Sequence, residues 1–124
     1  MNSKVSMVIR ILLALVLLVF GTNKFFHFLP APEGMSADAG AYFTALTSVK
    51  LLTLIAIVEI LTGLALLFNK WGALMALILM SVTVNAVLFH AMLDPGNIAA
   101  ALVVFVLNLL VLYGYKDKYK QLLS

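Results

Sequence analysis

A chain of 124 residues has room for one domain, and 65% hydrophobic against 10% charged residues lies far outside the composition of soluble globular domains. A soluble domain this small could not hide so much apolar surface, so the excess is expected to face lipid. The net charge of +3 comes from cations at segment ends, without interleaved aromatics, which excludes nucleic-acid binding and points to anionic headgroups and topology control; the absence of cysteine excludes thiol redox chemistry and thiolate metal sites.

The first apolar stretch, 5–22, follows Lys4 and contains Arg10, which imitates a signal peptide. No small-x-small cleavage site follows Gly21, so the segment reads as a retained span. A long connection then runs from Asn23 to Lys50, broken by Pro30, Pro32 and Gly34. Beyond the prolines, residues 39–48 can form a short interfacial helix capped by Ser36 or Asp38, with Tyr42, Phe43 and Leu46 on one side. The second and third apolar stretches, 51–68 and 71–93, are separated only by Asn69-Lys70, which forces an antiparallel hairpin. Asp94-Pro95-Gly96-Asn97 has turn chemistry, with Asn97 the expected N-cap of the fourth stretch, 98–115. Each stretch approaches the ~20 residues that cross a hydrocarbon core, and none alternates as a strand would. The expected fold is therefore all-α, an integral membrane antiparallel four-helix bundle with a short interfacial helix in the first loop, forming one domain over 1–124.

Polar residues inside such spans need a partner or a job. Helical spacing puts Arg10, Ala14, Gly21 and Lys24 on one face of the first span, with Asn23 and His27 on a neighbouring strip. In the second span Ala56, Glu59 and Gly63 share a face, which predicts a close helix contact with Glu59 turned inward. The third span aligns Gly72, Ala76, Thr83, Ala86 and His90, with Ser81 and Asn85 on nearly the opposite face; the fourth aligns Ala101, Phe105, Asn108, Leu112 and Tyr115. Asn85, Asn108 and the threonines read most simply as interhelical hydrogen-bonding glue, Lys24 and Lys50 as snorkelling cations, and Phe25, Phe26, Tyr42, Trp71 and Tyr113 as interfacial anchors. His27 and His90 make only a weak metal signal, so no metal site is expected.

Several of these features in this order resemble the DoxX family of bacterial membrane proteins. The resemblance rests on Arg10 at the start of the first span, Phe20-Gly21-Thr22-Asn23-Lys24-Phe25-Phe26-His27-Phe28 before a proline-containing loop, Glu59-Ile60-Leu61-Thr62-Gly63-Leu64 in the second span, and the run from Asn85 to Leu88-Phe89-His90-Ala91-Met92-Leu93-Asp94-Pro95. It implies a four-helix bundle in a family named for a membrane subunit of thiosulfate:quinone oxidoreductases. Small multidrug transporters are set aside because they carry their essential glutamate in the first helix, where this chain has Arg10; bundles of the vitamin K epoxide reductase type are set aside because they need cysteines.

The leading expectation is a non-catalytic membrane subunit or scaffold linked to quinone-dependent redox metabolism. The alternatives are a quinone-binding oxidoreductase in its own right, or a proton-coupled transporter or binder of a small apolar ligand. No cofactor motif is evident, and a quinone is the cofactor the resemblance leaves open. Expected partners are the lipid bilayer, a soluble redox protein, a quinone or lipid ligand, and a second copy of the chain. Asn23, Lys24, His27, Asn85 and His90 form the candidate ligand pocket, with Phe25, Phe28 and Phe89 as walls. Arg10 and Glu59, with Asn108 beside them, are the expected buried ion pair, the alternative being a protonated Glu59 that donates to Asn108. Lys4, Arg10, Lys70, Lys116, Lys118 and Lys120 fall on one side and Lys24 and Lys50 on the other, which places both termini in the cytoplasm of a bacterial inner membrane.

Overall fold

The computed structural model describes all 124 residues and contains no strand. Its helices are α1 (Ser3–Phe26), α2 (Ala37–Ser48), α3 (Leu51–Leu67), α4 (Gly72–Leu93) and α5 (Ile98–Gly114), with a 3-10 turn at Pro95–Asn97 and a 3-10 run at Lys116–Leu123.

The helix ends follow local chemistry. The Asn2 side chain accepts the Val5 N–H at 2.8 Å and starts α1. His27 closes α1 in the left-handed region at φ 51, donating its N–H to the Asn23 carbonyl at 2.7 Å. The expected 5–22 span thus gains a turn, because the first helix-breaking proline comes only at Pro30. Ser36 caps α2 by accepting the Ala39 N–H at 3.1 Å, as expected of one of its two candidate caps. Lys50, at φ 63, then turns the chain by 80° into α3. Asn97 does not cap α5 as expected. Its amide nitrogen instead donates to both Asp94 carboxylate oxygens, at 3.0 and 3.1 Å, and to the Glu33 carbonyl at 3.2 Å, since a buried carboxylate is the stronger claim on an amide donor.

Helix α1 packs against α3 and α5, and α4 against the same two, so α1 and α4 sit diagonally in a four-membered ring. Neighbours run antiparallel. The termini and the Asn69-Lys70 turn lie at one end of the bundle, the terminal end; α2 and the Pro95 turn lie at the other, the loop end. The core holds Leu13, Leu17, Leu66, Leu79, Val104 and Leu107. Only 22 of 124 residues are buried, while Leu54, Leu74, Leu88 and Val103 stand more than half exposed, an outer surface suited to hydrocarbon. Helices α1 and α4, and α5 with its preceding turn, are long and apolar enough to span a membrane; α3 makes a fourth when counted with α2 as one bent pair. The chain is a multi-pass membrane protein.

The tightest seam is between α1 and α3. A methyl at Gly21 would lie 2.8 Å from Ile60 Cγ1 and 3.2 Å from the Ala56 carbonyl, and one at Gly63 would lie 2.8 Å from Leu18 Cγ and 3.1 Å from the Ala14 carbonyl. Both glycines are there because backbone faces backbone. Gly63→Ala is expected to lower stability by about 1–3 kcal/mol in detergent melts through overpacking. Gly40→Ala, on α2 with open space around it, should leave stability unchanged or slightly raised.

Candidate functional site

The seam determines which charges meet. Along the α1 face chosen by helical spacing, Arg10 meets the end of α3, Ala14 lies against Gly63, Gly21 against Ile60 and Ala56, and Lys24 reaches Glu59. Lys24 Nζ stands 2.7 Å from Glu59 Oε1. That oxygen is buried and receives no aligned hydrogen bond, so the attraction is one of charge.

The expected Arg10–Glu59 pair is therefore not formed. Arg10 donates through one guanidinium nitrogen to the Leu66 carbonyl. Last-turn carbonyls lack an intrahelical donor, and this one sits at the level of Arg10, while Glu59 lies two turns deeper, within reach of the other end of the stripe. Nor does Asn108 meet either residue. It accepts from Thr83 Oγ1 at 2.9 Å and donates to the Ala76 carbonyl at 3.1 Å, joining α5 to α4 as interhelical glue.

Lys24 and Glu59 open onto a cavity of about 410 Å³ between α2, α3 and α4. Leu52, Ile55, Val58 and Val82 make much of its apolar wall, and Lys24, Glu59, Asn85 and His90 its polar one. Aromatic rings from two elements roof it at the loop end. Tyr42 stacks on Phe89 at 4.9 Å between centroids and 20° between planes, and Phe43 meets Phe89 edge-on at 5.0 Å. His90 Nδ1 lies 3.4 Å from Asp94 Oδ2 and 3.3 Å from the Asp94 carbonyl, which fixes the ring and leaves Nε2 for a ligand. The Asn85 amide donates to the Ser81 carbonyl at 2.6 Å and keeps its second proton. Leu54, Ser81 and Asn85 are exposed on the lateral surface, so the cavity opens sideways between α3 and α4.

Of the five residues read as a ligand pocket, the structure brings Lys24, Asn85 and His90 together and leaves out Asn23 and His27. Asn23 accepts the Leu29 N–H at 2.7 Å and orders the loop, and His27 is exposed at the end of α1. The reason is the ring order: α1 and α4 are diagonal, so the strip beside Lys24 cannot face His90. Phe25 and Phe28 are likewise exposed, and only Phe89 of the three expected walls lines the cavity. Sequence reasoning took Tyr42 for an interfacial anchor and Asp94 for a turn residue. The four-residue spacing of His90 and Asp94 was the available signal for the second.

A family model described as DoxX matches residues 5–92, a run that contains Lys24, Glu59, Asn85 and His90 and leaves α5 outside. No curated protein and no solved structure matches the chain.

The Lys24–Glu59 pair is testable by a double-mutant cycle. The Lys24 side chain is 28% exposed and can extend to headgroups when Glu59→Gln removes its partner, whereas Lys24→Met strands a carboxylate only 8% exposed, so the lysine change should be the more damaging. The two together should show a coupling of about 1 kcal/mol in detergent melts, while Arg10→Gln and Glu59→Gln should be additive.

Proposed function

Because the chain belongs to the DoxX family, we propose that its loop-end cavity holds a quinone-class ligand and that the protein serves a quinone-linked redox system of the bacterial inner membrane as a non-catalytic membrane subunit. The observation that carries this reading is the cavity: mainly apolar, with five polar side chains in its wall and an aromatic roof. Its volume of about 410 Å³ falls in the ordinary range of small-molecule sites.

The residues fit such a ligand. A quinone ring presents a flat face, matched by the Tyr42–Phe89 stack, and carbonyl oxygens that need donors. Lys24 and the free proton of Asn85 supply donors, and His90, oriented by Asp94, supplies a further nitrogen. Glu59 balances the ammonium, so the lipid-facing cavity carries no bare charge. When bound, a quinone supplies two-electron, two-proton chemistry. The chain itself holds, orients and shields the ring, and the electron source would be a soluble partner.

Titration of a short-tailed quinone analogue into the detergent-solubilised protein tests the site. His90→Phe and Lys24→Met should each weaken binding by about tenfold, the loss of one good polar contact, and His27→Phe should leave it unchanged. Equal losses for His27→Phe and His90→Phe would sink this placement.

The orientation follows from charge. The terminal end carries Lys4, Lys70, Lys116, Lys118 and Lys120 besides Arg10, against Lys24 and Lys50 at the loop end, which favours cytoplasmic termini. The chain has no cysteine, so an introduced thiol is its sole labelling site. In intact cells an impermeant thiol reagent should modify a cysteine introduced by Glu33→Cys and spare one introduced by Lys118→Cys; the opposite pattern overturns the orientation.

A further inference from the structure

A second cavity, of about 370 Å³, lies at the terminal end between the start of α1 and the end of α5. Ser3, Ser6 and Arg10 line it from α1, Gly114 and Tyr115 from the end of α5, and Asn69 from the α3–α4 turn. It shares no residue with the loop-end cavity.

Its cation has no counter-charge. Three of the five acids are taken: Glu59 by Lys24, Asp94 by His90, and Asp117 by Lys120 at 3.2 Å. The other two, Glu33 and Asp38, belong to the loop end. Arg10 spends one guanidinium nitrogen on the Leu66 carbonyl and retains further donors on a half-buried side chain. Around it stand the hydroxyls of Ser3 and Ser6 and the amide of Asn69, whose carbonyl oxygen already accepts the Tyr115 hydroxyl at 2.6 Å, leaving its NH2 as donor. The end of α5 passes close to Ser6 because residue 114 is glycine: a methyl there would stand 3.2 Å from Ser6 Oγ and a larger side chain would intrude on the cavity that both residues line.

We propose that this cavity is a site for a phosphate group, held by Arg10 with Ser3, Ser6 and Asn69. A guanidinium flanked by hydroxyl and amide donors, with no acid beside it, matches an oxyanion with several acceptor oxygens. The depth fits a lipid headgroup. Arg10 lies seven residues into α1, about 10 Å from its start, a depth from which an extended guanidinium snorkels toward the headgroups. The lysines of the same end would draw anionic lipid toward it. A free phosphate ester offers the same chemistry from the aqueous side.

The test uses the full chain in nonionic detergent, with ligand occupancy read by native mass spectrometry during titration with phosphatidylglycerol, diacylglycerol or inorganic phosphate. Saturable retention of phosphatidylglycerol but not of diacylglycerol is expected. Arg10→Gln and Gly114→Val should each weaken it by about tenfold or more, Ser6→Ala by a smaller factor, and the surface change Lys118→Gln not at all. Arg10→Gln also removes the bond to Leu66, so Gly114→Val and Ser6→Ala carry the test if that variant does not fold. Displacement of the lipid by inorganic phosphate supports the site and assigns it to a soluble ester. Equal retention of diacylglycerol, or parental affinity in both Gly114→Val and Ser6→Ala, overturns the proposal.

Discussion

The close approach of α1 and α3 is the constraint from which the rest of the bundle follows. Without the small residues at 14, 21, 56 and 63 the two backbones would stand farther apart, and Lys24 would not reach a carboxylate in the middle of α3. With α3 committed to α1 along its length, the short Asn69-Lys70 turn sets α4 on its other flank, and α5 closes the ring opposite. The loop-end cavity then falls where α2, turned by the 80° break, meets the loop-end parts of α3 and α4. One van der Waals contact thus fixes the position of an electrostatic one, and the electrostatic one supplies the polar wall of the cavity.

Much of this was legible in the sequence, and the part that was not has a definable cause. Period and composition locate the helices, because an apolar run long enough to span a bilayer has few alternatives, and the same period correctly put Arg10, Ala14, Gly21 and Lys24 on one stripe. Periodicity says which residues share a face but not which helix that face meets or at what height. The pairing of Glu59 depended on such a height: two cations lay within an extended side chain's reach, and the Leu66 carbonyl in the last turn of α3 took the nearer-seeming one. His27 failed for a related reason. Its link to His90 assumed α1 and α4 to be neighbours, and ring order is a property of the whole bundle that no single helix encodes.

The two ends of the molecule treat charge differently. At the loop end the ionisable groups near the cavity have partners: Lys24 faces Glu59, and Asp94 is held by His90 and Asn97. At the terminal end Arg10 stands without a carboxylate, and the exposed Lys120 finds only the equally exposed Asp117. The 3-10 run there is fastened to the bundle by the Tyr119 hydroxyl, which donates to the Ala73 carbonyl at 2.7 Å. Burial, with a smaller contribution from Tyr115, pushes that phenol up to about 12, so it remains a neutral donor at physiological pH. A matched end suits an uncharged occupant, and an unmatched end leaves a charge for something else to neutralise.

The sideways mouth between α3 and α4 also changes what concentration means for this protein. On the proposed reading, a quinone-class occupant entering past Leu54 and Ser81 would come from the acyl chains and return to them without crossing water. Its occupancy is then governed by its mole fraction in the bilayer, and a longer isoprenoid tail, which raises that fraction at a given total amount, would increase occupancy without touching the protein. Exchange would also be a two-dimensional search within the membrane plane, so crowding by other membrane proteins, more than any aqueous supply, would set how often the cavity is filled.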